Sequence, residues 1–435
     1  MNTLIIDVFR ETARMMLLSP EGKPIEIRFE EEEERSNGAV YLACVERISA
    51  QLHAAFVNIG TEKNAFLPLS GDEELKPGGF LLVQGVSDQE NKDKGFRVRG
   101  DLQIAGHFLV YLPAAGKVQC SSKIKDQKER ERLIQTVREL LRAEEGAVIR
   151  TAAEGVSGET LRAETEKMRK RMEWLSERAK TQLHPGLLWR PPMAERILNA
   201  YMSQDVGVVV TNNEDLADEL RVIAEEWTPE IRIQFFREDK NLLCDHYGMD
   251  AMIRKAVQRK QWLPSGGYVI VDFCEAMTVY DVNSGGSAKG NDPEEAAFHL
   301  NKEAARLIAQ HLRLANIGGI VMIDFIDMRR KENRDAILVE MRRLVKGDPA
   351  GVDAYAIGSL GVMQLSRKRT GLSLERKLRT VCRFCGGRGT EPSAAWVEAD
   401  RRRALRRAAL SGTQIKEQEI PVPCKEENLA EKAGY

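Results

Sequence analysis

Two carboxylates stand at the ends of short apolar runs, where folding can bring them together. Asp281 follows Met277-Thr278-Val279-Tyr280 and precedes Val282-Asn283-Ser284-Gly285-Gly286, and Asp324 follows Ile320-Val321-Met322-Ile323. If both runs are strands of one α/β sheet, the carboxylates face the crevice beyond the strand ends, where ligands of such sheets bind. A carboxylate pair suits Mg²⁺, which takes one or two protein oxygens and fills its shell with water and substrate phosphate. That ion polarises a phosphodiester and acidifies a bound water. Asn283 adds a neutral amide that can reach a phosphate oxygen or the attacking water. Asp327 and Glu275 are weaker candidates for the same site. The same positions also suit a plainer role, because Asp at a strand end often caps a turn.

A second cluster is Cys382-Arg383-Phe384-Cys385, followed by Gly386-Gly387-Arg388-Gly389. The spacing is that of half a zinc site, since a structural zinc takes four ligands and usually two such pairs. Two chains sharing one Zn²⁺ would complete it and would make a dimer; a redox pair or two free thiols are the other readings. Residues 366–390 carry eight Lys or Arg against one acid, Glu375. That density suits a phosphate backbone, or else a solvated face. Arg401-Arg402-Arg403 with Arg406-Arg407 is a further basic group.

Phe56 and Phe66 flank Gly60, and Lys94 lies in Asn91-Lys92-Asp93-Lys94-Gly95. Exposed aromatics on a small β-barrel stack bases, and a nearby Lys meets phosphate. Burial in the core is the commoner fate of Phe.

Several elements must position these groups. Residues 1–30 read as a β-hairpin with a turn at Ser19-Pro20-Glu21-Gly22 and a possible third strand at Ile25 and Ile27. Residues 36–115 carry short β-rich runs at Val40-Tyr41-Leu42, Ala54–Val57 and Phe80–Val83, a spacing that suits a five-stranded barrel. Helical periodicity covers 126–143 and 158–181, with a short apolar run at Ala147-Val148-Ile149 between them. Residues 206–211 read as a buried strand and 213–226 as a helix. Residues 268–272, 276–281 and 320–323 read as strands around a helix at 293–314. Asp292 is its N-cap, Pro293 sits at N1, and Glu295 is placed for a capping box. Ala297, Leu300, Ala304, Leu307, Ile308 and His311 share one face, and Gly318-Gly319 ends the helix. Strand–helix–strand in this order implies an α/β layer.

The 435 residues allow two to four domains, and 43% hydrophobic with 30% charged residues is the profile of a globular chain. The net charge of −1 means that any affinity for a polyanion must come from local patches. The sequence contains no apolar run long enough to span a membrane and no signal-peptide pattern, so a cytoplasmic protein is expected. Seven cysteines, an odd count and scattered apart from Cys382 and Cys385, argue against a disulfide framework.

Together these pieces resemble the catalytic half of the ribonuclease E/G family across residues 1–390. LHAAFVNIGTEKNAFLP at 52–68 is similar to that family's S1 RNA-binding domain, and GAVIRT at 146–151 resembles its 5′-sensor strand. The most specific matches are LPSGG at 263–267 leading to Glu275-Ala276 and Asp281–Gly285, and the stretch 318–328 containing Ile323-Asp324-Phe325-Ile326-Asp327-Met328. The resemblance implies an S1-type OB barrel at 36–115 inserted in an RNase H-like subdomain made of 1–35 and 206–262. It implies a 5′-sensor region at 116–205, a DNase I-like catalytic subdomain at 263–378, a zinc link at 379–390 and a short basic tail at 391–435.

By position, Asp281 and Asp324 would bind Mg²⁺ and Asn283 would contact the scissile phosphate. Phe56, Phe66 and Lys94 would grip single-stranded RNA, Arg150 and Thr151 would hold a 5′-monophosphate, and Cys382 and Cys385 would share Zn²⁺ with a partner protomer. The implied activity is metal-assisted hydrolysis of RNA in RNA processing and mRNA turnover, leaving a 5′-phosphate and a 3′-hydroxyl. A non-catalytic RNA-binding scaffold and a metal-dependent phosphatase or DNase are the competing classes. Two departures argue against strong 5′-end dependence. Ala356–Gln364 replaces the family's H-I-S-R-F-G-L-x-E, and Gly351 stands where a basic residue is expected. The short tail favours a dimer over a tetramer.

Overall fold

Alternating apolar residues build the first sheet. β1 (Asn2–Phe9) and β2 (Thr12–Leu18) form an antiparallel hairpin with Ile5 opposite Met16, and β3 (Pro24–Glu31) adds antiparallel to β2. The intervening turn closes by Gly22 N–H donating to Ser19 O at 2.9 Å, with Gly22 at φ +73°. The computed structural model describes residues 1–380 except 11, 32–36, 70–74, 87–95, 202–203, 228–229, 240, 287–291 and 359. Lys94, Cys382, Cys385 and the basic group at 401–407 therefore lie outside the described residues. Residues 1–375 form one unit, to which the following description applies.

A curved sheet follows: β4 (Val40–Ser49), β5 (Ala54–Asn58), β6 (Ala65–Pro68), β7 (Phe80–Gly85) and β8 (Val98–Arg99) in the order β6-β5-β4-β7-β8. A bridge from Phe66 to Arg97 joins its two ends, so the sheet nearly closes. Tyr41, Val45, Val57, Leu67, Val83 and Val98 fill its interior. The result is compatible with the expected OB-type barrel.

β9 (Ile104–Ala105) and β10 (Leu109–Leu112) pair with neither barrel end. They join β11 (Val118–Cys120) and β12 (Gly146–Ile149) in a second small sheet, order β11-β12-β10-β9. α1 (Gln127–Leu140) and α2 (Gly158–Thr181) pack on it through Leu133, Val137, Leu161 and Met168. Asp126 caps α1 by accepting from Lys128 N, and Ser157 caps α2 by accepting from Thr160 N. β13 (Gly186–Trp189) returns to pair with β4.

α3 (Met193–Tyr201) leads back to the first sheet. β14 (Val206–Thr211) lies parallel to β1, α4 (Glu214–Trp227) follows, and β15 (Arg232–Phe235) lies parallel to β14. The order is β15-β14-β1-β2-β3. Leu4, Ile6, Met15 and Leu17 face α3 and α4, while Ile5, Met16, Leu18 and Ile27 enter a larger core on the other side.

That larger core belongs to the last sheet. After α5 (Leu243–His246) and α6 (Met249–Ala256) come β16 (Lys260–Trp262), β17 (Tyr268–Phe273), β18 (Met277–Asn283), α7 (Pro293–Leu314), β19 (Gly319–Asp324), α8 (Lys331–Val345), β20 (Val352–Ala354) and β21 (Val362–Arg367). The sheet order is β16-β17-β18-β19-β21-β20, with β18 and β19 parallel and every other pair antiparallel. Val269, Val271, Tyr280, Val282, Val321, Ile323, Met363 and Leu365 pack one face against α7 and α8.

α7 runs over the expected residues and buries Ala297, Leu300, Ala304, Ile308 and His311, together with Asn301. Two details differ from expectation. Asp292 accepts from Glu294 N at 2.9 Å, while Glu295 pairs with His299 at 2.9 Å rather than closing a capping box. The helix ends at Ala315 and Asn316, the latter at φ +49°, before the glycine pair is reached. Gly318 instead stands just before β19, where a Cβ would lie 2.9 Å from the Arg369 backbone.

Candidate active site on the open face of the last sheet

Strand alternation sends Tyr280 and Val282 into the core and leaves Asp281 and Asn283 on the opposite face. On β19, Val321 and Ile323 are buried and Asp324 is exposed. β18 and β19 are in register with Asp281 paired to Asp324. Neighbouring strands lie about 4.8 Å apart, so the fold sets two carboxylates side by side on one face. Their other in-register neighbours are apolar, Ile270 beside Asp281 and Val362 beside Asp324. Like charges placed opposite each other destabilise a sheet. Partial burial, then the charges of Asp281 and Asp327, push the Asp324 carboxyl above the ordinary carboxylate range.

The supporting contacts are local. Asn283 Nδ2 donates to Asp281 Oδ2 at 2.9 Å, which fixes that carboxylate. Gly267 lets the loop after β16 approach β18, because a Cβ there would fall 2.9 Å from Asn283 O and 2.8 Å from Leu300. Beyond Asp324 the chain is held by α7: Asn301 Nδ2 donates to Ile326 O at 2.7 Å, and its Oδ1 accepts from Ile326 N at 3.0 Å. Glu294 accepts from Arg329 N at 2.9 Å and Arg330 N at 3.0 Å. Among the described residues no group of three or more His, Cys, Asp or Glu is placed to cage a metal. Asp281 and Asp324 form an exposed two-carboxylate platform, which fits a hard cation that keeps much of its shell for water and phosphate. Glu275 lies in the turn between β17 and β18, at the opposite end of β18 from Asp281 and Asn283.

On the barrel, Phe56 and Phe66 sit opposite each other on β5 and β6, their rings 5.9 Å apart and 77° inclined. Both are half-buried and outside the barrel core, so they are not the interior residues that Phe usually becomes. Arg47 lies over the Phe56 ring at 4.6 Å, which the sequence reading missed. Its signal is its place across from Phe56 in the β4–β5 pairing.

Arg150 and Thr151 follow β12. Thr151 Oγ1 is 3.0 Å from Ser121 Oγ on the exposed surface. Arg150 turns the other way: Nη1 donates to Gly106 O and Asn199 Oδ1, each at 2.5 Å. Glu164 accepts from His107 N at 2.5 Å, Phe108 N at 3.0 Å and Leu109 N at 2.9 Å close by. Arg367, counted above among the basic residues, is buried and paired with Asp348 at 3.0 Å, so it is part of the sheet and unavailable to a polyanion.

The chain is similar to known ribonucleases. The family model described as Ribonuclease E/G family matches residues 103–370. Ribonuclease G of Escherichia coli (strain K12) is 32% identical over 390 residues, covering 84% of this chain and 79% of that protein. Ribonuclease G of Haemophilus influenzae is 30% identical over 410 residues, covering 89% of this chain and 83% of that protein. Ribonuclease E of Nostoc sp. is 31% identical over 371 residues, covering 81% of this chain and 54% of that protein. The chain belongs to the Ribonuclease E/G family of endoribonucleases.

Proposed function

We propose that this chain cuts single-stranded RNA by magnesium-dependent hydrolysis in RNA processing and turnover. The observation that supports this most is the in-register pairing of Asp281 with Asp324, two like charges that a protein has little reason to align without a cation between them. Asp281 and Asp324 would hold the ion. Bound there, Mg²⁺ supplies polarisation of the scissile phosphodiester and a more acidic water. Asn283 orients Asp281 and offers an amide toward the phosphate. The Phe56–Phe66 pair, with Arg47, would stack unpaired bases, and Lys94 would meet the backbone.

Family membership supports finer assignments, which belong to the same proposal. The first and last sheets correspond to RNase H-like and DNase I-like subdomains, with the S1 barrel between them in the chain. Cys382 and Cys385 would give two thiolates to a Zn²⁺ shared between protomers, making a dimer. Thr151 and Arg150 would form a 5′-monophosphate pocket, weak here because one Arg150 Nη is engaged by Gly106 and Asn199 and because Gly351 lacks a side chain. A cytoplasmic location fits such a substrate, and among the described residues no helix is long and apolar enough to cross a membrane.

The test uses a short single-stranded RNA, fluorescent at its 3′ end, with a 5′-monophosphate or a 5′-hydroxyl. Wild type with Mg²⁺ should cut it internally, while EDTA or Asp324→Asn should abolish cutting. Binding without cutting under every condition would leave only an RNA-binding scaffold.

A further inference from the structure

We infer that Trp262, Tyr268 and Lys260 form a base-stacking subsite on the catalytic sheet, taking a nucleotide of the single-stranded substrate beside the scissile phosphate. The inference rests on the nuclease reading above and assigns residues that reading does not use.

The three side chains share the open face with the carboxylates. Lys260 and Trp262 are two apart on β16, Trp262 pairs with Tyr268 on β17, and Tyr268 pairs with Asn283 on β18. The adjacent row across the sheet is Lys260, Ile270, Asp281 and Asp324. Trp262 and Tyr268 are thus two strands and one strand from Asn283, or about 10 Å and 5 Å across the sheet.

The rings are arranged to receive something. Trp262 and Tyr268 meet edge-on at 5.6 Å between centroids. The Lys260 ammonium sits 4.1 Å from the Trp262 centroid and 3.8 Å from that of Tyr268. Trp262 nevertheless remains 62% exposed, leaving much of the largest apolar side chain in water. A cation–π pair alone explains Lys260's position but not that exposure. A base laid on the indole surface that Lys260 leaves open would cover it, and the ammonium held over the ring beside it matches the adjoining phosphate. Stacking reads no hydrogen-bond pattern, so the subsite would favour unpaired nucleotides without strict sequence choice.

The experiment scans one abasic nucleotide along a 3′-fluorescent RNA of fixed cleavage site, using the full chain, Trp262→Ala, Trp262→Phe and Lys260→Ala. Binding is read by anisotropy in EDTA, and cleavage by kcat/KM in Mg²⁺. At one position near the cut the abasic substitution should weaken wild-type binding by roughly 5- to 150-fold. The same substitution should add nothing further in Trp262→Ala, and Trp262→Phe should recover most of the wild-type response. Additive effects at every position would overturn the subsite while the nuclease reading stood. So would unaltered RNA binding together with a change in oligomeric mass, which would make Trp262 a contact between copies of the chain. Failure of wild type both to bind and to cut RNA would instead overturn the nuclease reading and the subsite with it.

Discussion

Asn301 spends both ends of its amide on the backbone of a single residue, donating to Ile326 O and accepting from Ile326 N at 2.7 and 3.0 Å. The side chain is fully buried on the apolar face of α7, between Ala297 and Ala304. It ties the segment leaving Asp324 to the helix that crosses from β18 to β19. A buried backbone N–H or C=O left without its partner costs about 1–3 kcal/mol. Asn301→Leu should therefore lower stability by roughly 2–4 kcal/mol. It should also reduce kcat more than it raises KM for RNA, because the carboxylate moves while the barrel surface does not. Urea unfolding and steady-state cleavage together check this; unchanged kcat with reduced stability would confine Asn301 to folding.

The carboxylate pair predicts opposite effects on stability and activity. Asp281→Asn removes one of two facing like charges, so the metal-free protein should gain up to about 1 kcal/mol. Cleavage should fall by more than the roughly 10- to 100-fold typical of groups that merely support a metal ligand. Mg²⁺ at about 100 times its Kd should stabilise wild type by about 2.7 kcal/mol and the variant by much less. Thermal unfolding with and without Mg²⁺ reads both quantities, and equal Mg²⁺ stabilisation of the two proteins would remove Asp281 from the metal site.

Much of this platform is legible in the sequence because strand parity and apolar runs carry it. Asp281 and Asp324 each close a run of residues that alternate between core and surface, and the helix between the runs is fixed by Asp292, Pro293 and an apolar stripe. Their register is not legible, since it depends on how β18 and β19 align across a connection of 35 residues (284–318). Asn301 is visible only as a polar break in the stripe, with no local clue to its partner 25 residues on. The Gly318-Gly319 pair is read naturally as a helix stop. Its actual constraint is the distant Arg369, whose backbone crosses Gly318 and whose guanidinium lies against Gly319. Arg47 and Phe56 likewise meet only through the β4–β5 pairing, which contains an irregularity between Val45 and Arg47.

The barrel face should contribute binding more than stability. Phe56 is half-buried and lies outside the core, so Phe56→Ala removes a ring contact with Phe66 and the seat of Arg47 without opening a large cavity. The loss in stability should be about 1 kcal/mol. The affinity for single-stranded RNA should fall by roughly 5- to 150-fold, the range for one stacked base. Duplex RNA binding should change little. Anisotropy on matched single- and double-stranded probes distinguishes these; equal losses on both would mean that the ring contacts backbone rather than bases.

His107 makes folding sensitive to acid. Its ring stacks on Trp227 at 5.5 Å and 11°. Burial, with help from the Arg150 charge, pushes its pKa from 6.5 down to about 4. The unfolded chain therefore takes up a proton before the folded one does. The stability this neutral ring contributes is complete above about pH 6.5 and drains away as pH falls toward 4. Across the fall from pH 7.5 to 5 the loss from this group should be about 1–2 kcal/mol. His107→Phe keeps a ring against Trp227 and removes the titration. Urea unfolding at the two pH values should show the variant losing less stability than wild type by that amount. An identical pH dependence would mean that the site opens enough for His107 to protonate while the rest of the fold stays intact.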